Sequence, residues 1–350
     1  MSAGPAGFAG RVVRWQQVHG RNNLPWQNTR DPYRVWLSEI MLQQTQVTTV
    51  LDYYTRFLAR FCDVRALAGA ELDEVLGLWS GLGYYSRARN LHRCAREVAA
   101  RHGGQFPRTA MLLQCLPGIG PSTAAAISSL CFGERAAILD GNVRRVLTRV
   151  LGFGADLAVP ANERALWAQA EALLPRRGVR EAMPRYTQGL MDLGATVCVA
   201  RDPRCGLCPV GDECVARREG EPQRYPVKIR KLKRSSQSLW LLRARTAEGS
   251  VWLEKRPDSG IWPALYCLPM FESRNALEAA VSPRARAGLQ DDAPFVHVLT
   301  HKDLHLHPVG GQFHARPMPG REGAWFGARE WPALGLPAPV RRLLQGEAPS

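Results

Sequence analysis

The sequence predicts a mainly α-helical domain followed by a smaller α+β domain. Three observations predict it. From Asp31 to about Cys214, apolar residues recur at three-and-four spacing between short glycine and proline breaks, with few β-branched alternating runs. After Arg217 the pattern changes to short strand-like segments separated by turn residues. The length of 350 residues carries a soft prior of two domains, and 45% hydrophobic against 22% charged residues supplies a core, which argues against a disordered or fibrous chain. No run of about 18 apolar residues is present, so no membrane-spanning helix is expected. Met1 to Gly10 lacks a cationic stretch followed by an apolar one, so no secretory signal is expected. A cytoplasmic chain is expected, nucleoid-associated if bacterial. The net charge of +15 suits a polyanionic partner, of which nucleic acid is the commonest.

Taking the elements in order, Asp31-Pro32 reads as a helix start, because the Asp side chain can accept from free amides and proline tolerates the first turn. Trp36, Leu37, Ile40, Met41 and Val47 continue that helix with an apolar face. Gly81-Leu82-Gly83, His102-Gly103-Gly104 and Pro117-Gly118 punctuate further helices. Residues 224–236 read as a linker. Arg224, Lys228, Arg230, Lys231, Lys233 and Arg234 crowd there without an acidic residue, and Pro226 favours exposed backbone. Beyond it, Ser238 to Arg245 and Val251 to Arg256 read as strands joined at Glu248-Gly249. Val296 to Leu299 and Leu304 to Val309 add further strands, with a helix around Arg274–Ala280. The expected domains are therefore residues 1–223 and 237–350.

Cys198, Cys205, Cys208 and Cys214 follow the spacing C-x6-C-x2-C-x5-C, one close pair flanked by single cysteines. Zinc usually takes two matched pairs. Four thiolates from one compact loop suit a cubane iron–sulfur cluster, each ligating a separate iron; zinc stays open as the alternative. Arg201, Arg204, Arg217 and Arg218 lie in or beside the loop, so a metal there would hold cations against a nucleic-acid backbone and be structural. The remaining cysteines are isolated in apolar stretches and read as core residues.

Leu116-Pro-Gly-Ile-Gly-Pro-Ser-Thr-Ala-Ala-Ala-Ile joins two helical patterns. Gly118 and Gly120 permit a tight turn and close approach of backbone to a ligand, and the helix after Pro121 turns its free amides the same way. The pattern is that of a helix–hairpin–helix gripping a DNA phosphate.

This hairpin, Leu139-Asp-Gly-Asn-Val-Arg-Arg-Val-Leu and the cysteine loop together resemble the helix–hairpin–helix DNA glycosylase superfamily. Trp36-Leu-Ser-Glu-Ile-Met-Leu-Gln-Gln-Thr-Gln-Val and Leu78-Trp-Ser-Gly-Leu-Gly-Tyr-Tyr-Ser-Arg-Ala-Arg-Asn-Leu are similar to the MutY-type adenine DNA glycosylases, which remove adenine mispaired with 8-oxoguanine or guanine. The resemblance runs from about Leu24 to Cys214. It resumes at Ser259-Gly-Ile-Trp-Pro-Ala-Leu-Tyr-Cys-Leu-Pro, which is similar to the family's Nudix-like module. It implies one [4Fe-4S] cluster on the four cysteines, double-stranded DNA carrying an adenine mispair as the partner, and action as a monomer. Endonuclease III-type enzymes place a Schiff-base lysine in the hairpin; Ser122 stands here and cannot form an imine, which points to a glycosylase without coupled strand cleavage. A bifunctional glycosylase/lyase of that type, and a non-catalytic DNA-binding iron–sulfur protein, are the alternatives.

Breaking an N-glycosidic bond needs an acid beside the departing base and an anion beside the cation-like sugar. Glu39 lies on an otherwise apolar helix, where burial raises the pKa of a carboxyl group. Asp140 precedes a helix, where it reads as an N-cap whose amides and helix dipole keep it ionised. The resemblance implies that Glu39 protonates adenine at N7 and that Asp140 stabilises the oxocarbenium ion. It further implies that Asn142 and Ser122 position sugar, water or base.

Trp26 and Gln188 match the adenine pocket, Gln44 and Tyr84 match residues that push into the duplex beside the lesion, and Leu82 is a further substrate-binding candidate. Leu82 and Tyr84 also have a core-packing reading, and Arg87 and Arg89 read as phosphate ligands or solvated charges. In the family a Phe-Ser-His motif reads the oxidised guanine; the aligned residues here are Leu299-Thr300-His301, which makes Thr300 and His301 the candidate contacts. Five of eight histidines lie between His297 and His314, but Leu304-His-Leu-His alternates as a strand does, which argues against a metal site. No R-E-x-x-E-E helix is present, so nucleotide hydrolysis is not expected.

Overall fold

A computed structural model describes residues 7–227 and 234–346. Lys228, Arg230, Lys231 and Lys233 of the basic stretch lie outside the described residues. The chain forms two compact units, one made of Met1–Ala68 with Arg93–Lys231, the other of Gly69–His92 with Leu232–Ser350.

In chain order the helices before the linker are α1 (Phe8–His19), α2 (Pro32–Leu42), α3 (Val47–Arg60), α4 (Val64–Ala68), α5 (Leu72–Trp79), α6 (Ser86–Arg101), α7 (Ala110–Leu113), α8 (Pro121–Ile127), α9 (Gly141–Leu151), α10 (Pro160–Ala172), α11 (Val179–Thr196) and α12 (Val215–Arg218). Helix α2 starts where the sequence places it: Asp31 accepts from the Tyr33 amide at 2.9 Å, and Pro32 opens the first turn. Its buried face is Tyr33, Val35, Trp36, Leu37, Ile40 and Met41. Helix α8 runs directly into a π-helical turn, Ser128–Phe132.

The first unit's core joins α1, α9, α10 and α11 through Val12, Val143, Leu147, Leu166, Met183, Tyr186, Leu190 and Leu193. Two glycines of α11 set how closely it packs. A Cβ on Gly189 would lie 2.9 Å from Val12 Cγ1, and one on Gly194 would lie 2.7 Å from Asn142 Cβ. Both contacts are closer than atoms tolerate, so these glycines draw α1 and the start of α9 onto α11.

The second unit carries strands β1 (Ser235–Arg245), β2 (Val251–Lys255), β3 (Tyr266–Cys267), β4 (Met270–Phe271), β5 (Gln290–Asp291), β6 (Phe295–Val298), β7 (Lys302–Gln312) and β8 (Ala324–Phe326). Its helices are α13 (Arg274–Ala280), α14 (Pro283–Arg286) and α15 (Ala338–Gln345). The mixed sheet centres on β1 and β7, parallel from Ser235 opposite Lys302 to Arg245 opposite Gln312. Strands β6 and β7 form an antiparallel hairpin, Val298 opposite Asp303, closed by the Leu299 amide donating to the Lys302 carbonyl at 2.8 Å. Helix α5 belongs to this unit, where Asp73 pairs with Lys255 at 2.7 Å and Tyr85 donates to the Leu336 carbonyl at 2.6 Å. The histidines of β7 follow the strand reading: His307 stacks on Trp240 with ring centroids 4.4 Å apart. The arginines after the Tyr-Tyr pair do not match the expectation of phosphate ligands. Arg87 is buried over the Trp79 and Tyr84 rings and donates to the Leu82 and Gly83 carbonyls, while Arg89 donates to the Pro263 carbonyl. Both bind the fold because their own unit offers carbonyls within reach. Among the described residues no helix is long and apolar enough to cross a membrane.

Candidate active site

A cleft of about 1160 Å³ opens in the first unit, and Trp26, Glu39, Gln44, Ser122, Asp140, Asn142 and Gln188 all line it. Seven residues spread over more than 160 positions thus share one cavity, brought there by the ends of α2, α8 and α9 and by one face of α11.

Glu39 projects from the apolar helix α2. Burial pushes its carboxyl up to about 7, and the negative charge of Asp140 adds to the rise. Among the described residues no cation acts on it. A carboxyl group in that setting holds its proton near neutrality and can deliver it.

Asp140 caps α9, its Oδ1 accepting from the Val143 amide at 2.7 Å. Its pKa is also raised by burial, which outweighs the pull of the Val143 and Asn142 amides and of the Arg145 and Arg144 charges. The dipole and amides expected from the sequence are present, but desolvation is the larger effect. The two carboxyls still differ in kind. Asp140 has donors and cations that favour its anion and Glu39 has none, so of the two Glu39 is the better suited to hold a proton and Asp140 to hold a charge.

Around the pair, Ser122 Oγ accepts from the Leu139 amide at 3.1 Å, which leaves its hydroxyl hydrogen free to turn toward the cleft. Asn142 Oδ1 accepts from Arg145 at 2.9 Å, and Arg145 also donates to the carbonyls of Cys198 and Gly194. Trp26 is buried edge-on against Tyr54, with centroids 5.3 Å apart, and keeps a surface on the cleft. Gln188 Nε2 donates to Asp192 Oδ1 at 2.9 Å. Gln44 has φ 56°, a left-handed backbone that a non-glycine residue adopts only when its surroundings impose it. Gly118 (φ 77°) turns the hairpin ahead of α8, and Gly120 caps that helix with open space where a Cβ would stand, so packing does not explain its lack of a side chain.

The other candidates lie in the second unit. Tyr84, 45% exposed with φ 49°, accepts from the Thr300 hydroxyl at 3.3 Å. Thr300 and His301 form the tip of the β6–β7 hairpin. Leu82 is buried, which matches its packing reading, and Tyr84 is the side chain of that turn that faces solvent.

The four cysteines ring one small pocket walled by Val146, Val150, Val197, Pro203 and Pro222. Burial pushes the Cys208 thiol up to about 11, and the charges of Cys198, Cys214 and Cys205 add to the rise, so all four converge. Among the described residues no three of Cys, His, Asp and Glu gather closely enough to hold a single ion. Arg149 is 2% exposed beside this ring. Its five hydrogen bonds go to the carbonyls of Tyr225, Cys198, Val199 and Ala200 and to Cys198 Sγ, none of them a carboxylate. A buried cation with neutral partners is costly, and an anionic group held by the thiolates would complete it. The donor set therefore fits an iron–sulfur cluster.

Arg21, Arg145, Arg149 and Asp192 escaped sequence reasoning. Only the four-residue spacing of Gln188 and Asp192 on α11 was there to signal a pairing.

Comparison with known proteins identifies the family. Residues 37–170 match the HhH-GPD superfamily of base excision DNA repair proteins, and residues 240–346 match the NUDIX domain. The adenine DNA glycosylase of Buchnera aphidicola (subsp. Acyrthosiphon pisum) is 34% identical over 97% of both chains. The human adenine DNA glycosylase is 44% identical over 62% of this chain and 40% of its own. A thermostable thymine-DNA glycosylase structure superposes with a TM-score of 0.54 at 31% identity, covering 61% of this chain and 95% of that one. A trapped endonuclease III–DNA intermediate, at TM-score 0.50 and 20% identity over 61% and 94%, shares the fold. The chain belongs to the adenine DNA glycosylase family of base-excision repair enzymes, which hydrolyse N-glycosyl bonds.

Proposed function

We propose that this enzyme removes adenine paired with 8-oxoguanine or guanine, with Glu39 as general acid and Asp140 as the anion facing the sugar. The observation that carries this reading is the shared cleft, in which one carboxyl is raised to about 7 without a cation and the other is capped by amides and approached by two arginines. The flipped adenine stacks on Trp26 and meets Gln188. Glu39 protonates N7, the base leaves as a neutral purine, and the cation-like deoxyribose faces Asp140. Asn142 and Ser122 hold the sugar and the attacking water. Flipping costs a few kcal/mol of unstacking, which Gln44 and Tyr84 offset by filling the duplex; the left-handed backbone at both residues supports that task.

The Gly118–Gly120 turn brings bare backbone amides to a DNA phosphate. The four cysteines hold one [4Fe-4S] cluster, which when bound fastens the loop and its arginines for backbone contact. Residues 1–223 carry out excision, residues 237–350 read the base opposite through Thr300 and His301, and residues 224–236 join them. The protein acts as a monomer in the cytoplasm.

Duplexes carrying adenine opposite 8-oxoguanine or guanine test this reading, compared for strand breaks with and without alkali. Breaks only after alkali are expected. Breaks without alkali would make the enzyme a lyase, and none in either case would make it a non-catalytic DNA-binding protein.

A further inference from the structure

Gln188 alone does not specify a base, because its amide offers an acceptor at one end and a donor at the other. What decides which end faces the cleft is the group behind it. Asp192 lies one turn further along α11, is 0% exposed, and does not line the cleft. Its Oδ2 accepts from the Arg21 amide at 3.0 Å, and its Oδ1 accepts from Arg21 Nε at 2.7 Å and from Gln188 Nε2 at 2.9 Å. Both oxygens already accept from Arg21, so toward Gln188 the carboxylate offers only an acceptor. Turning the Gln188 amide over would set its Oε1 against Asp192 Oδ1, oxygen to oxygen. The helix cannot rotate away from this arrangement, because Gly189 and Gly194 are packed against Val12 and Asn142.

We propose that Asp192 is a specificity-determining positioning residue: by taking the nitrogen end of Gln188, it commits Oε1 to the cleft, so that the site accepts a purine bearing an exocyclic amine at that edge and rejects one bearing a carbonyl. Adenine has the amine; hypoxanthine and guanine have the carbonyl. The inference rests on the reading of Gln188 as a base-contacting residue in the proposed function and adds the reason why its amide has one direction.

The test uses the full-length enzyme with duplexes carrying adenine or hypoxanthine opposite the same base. Single-turnover excision rates give an adenine-to-hypoxanthine ratio, and the change in that ratio between variants cancels the intrinsic difference between the two bases. Asp192→Asn removes the acceptor-only constraint, since its own amide can face Gln188 either way. The ratio is expected to fall about tenfold, with affinity for a duplex containing an uncleavable abasic-site analogue unchanged. Equal loss on both substrates would make Asp192 merely structural and overturn the proposal, as would an unchanged ratio. If the Asn variant does not fold, Asp192→Glu keeps the ion pair with Arg21 but shifts the carboxylate by one methylene. The ratio is then expected to fall about threefold, and a wild-type ratio there overturns the proposal. Gln188→Ala separates the two readings. Loss of the ratio in that variant with none in the Asp192 variants defeats the inference alone, whereas a wild-type ratio in Gln188→Ala defeats the reading of Gln188 and the inference with it.

Discussion

The cleft and the cysteine loop hang from the same two helices and differ in how far they hydrogen-bond the ionisable group each one buries. At the N-terminal end of α9, Asp140 faces the cleft with Glu39, whose charged form finds no cation and is raised to about 7. Further along α9, Arg149 is more deeply buried and is hydrogen-bonded at all three guanidinium nitrogens, with five hydrogen bonds that stitch the helix to residues 198–200 and to Tyr225, though none of these partners is a carboxylate. Arg145 lies between them and touches both sides, Asn142 toward the cleft and Cys198 toward the loop. The difference teaches how one scaffold divides its work. The group proposed to give up a proton is left without a cation, and the group that ties the loop to α9 is given hydrogen-bond acceptors at every guanidinium nitrogen but no carboxylate.

The largest expected effect breaks the side without a cation. Glu39→Gln keeps the shape of the cleft but has no proton to deliver, so adenine excision falls by about a thousandfold or more, while binding to the mispaired duplex is retained. Single-turnover excision and a filter or anisotropy titration check the two halves.

On the hydrogen-bonded side, Arg149→Met removes the cation and leaves four carbonyls and a thiol without their donor. A loss of about 3 kcal/mol in chemical denaturation is expected, with iron content per chain falling alongside. Unchanged stability would mean that the loop does not depend on that arginine.

A subtler outcome concerns the cost of leaving Glu39 without a cation. Its folded pKa of about 7 lies above the unfolded value near 4.5, so the stability contributed by its proton is complete below about 4.5 and is lost as pH rises through about 7. Glu39→Gln should therefore be more stable than the wild type above pH ~8, by up to about 3 kcal/mol, and lose that advantage below pH ~5. Thermal melts at the two pH values check the sign.

The smallest effect lies in the second unit. Thr300→Ala removes the hydroxyl that donates to Tyr84, and preference for 8-oxoguanine over guanine opposite the adenine should fall about fivefold, with excision opposite guanine unchanged.

Legibility in the sequence followed the range of the interaction. Helix α2 was readable because its cap and its apolar stripe are local: Asp31, Pro32 and the Trp36–Met41 pattern lie within one stretch. Strands β2 and β6 were readable as short strand-like segments bounded by turn residues, β7 from its alternation, and the cysteine loop from its spacing. The parallel pairing of β1 with β7 was not, because it joins segments almost 70 residues apart and strand alternation does not name a partner. Arg145 and Arg149 look like ordinary helix charges, since nothing in Val-Arg-Arg-Val-Leu-Thr-Arg tells a solvated arginine from one buried against residues 198–200. Arg21 and Asp192 meet across 171 positions. Arg87 failed for the same reason: its partners are backbone carbonyls and aromatic rings that only the folded turn presents.

The most direct measurement is the single-turnover rate of adenine excision from about pH 5 to about pH 9. With Glu39 as the proton donor, the rate holds steady at low pH and declines tenfold per unit above about 7, and Glu39→Gln gives a slow, level profile. A wild-type rate that keeps climbing above neutrality, or a Gln variant that matches the wild type, would contradict it.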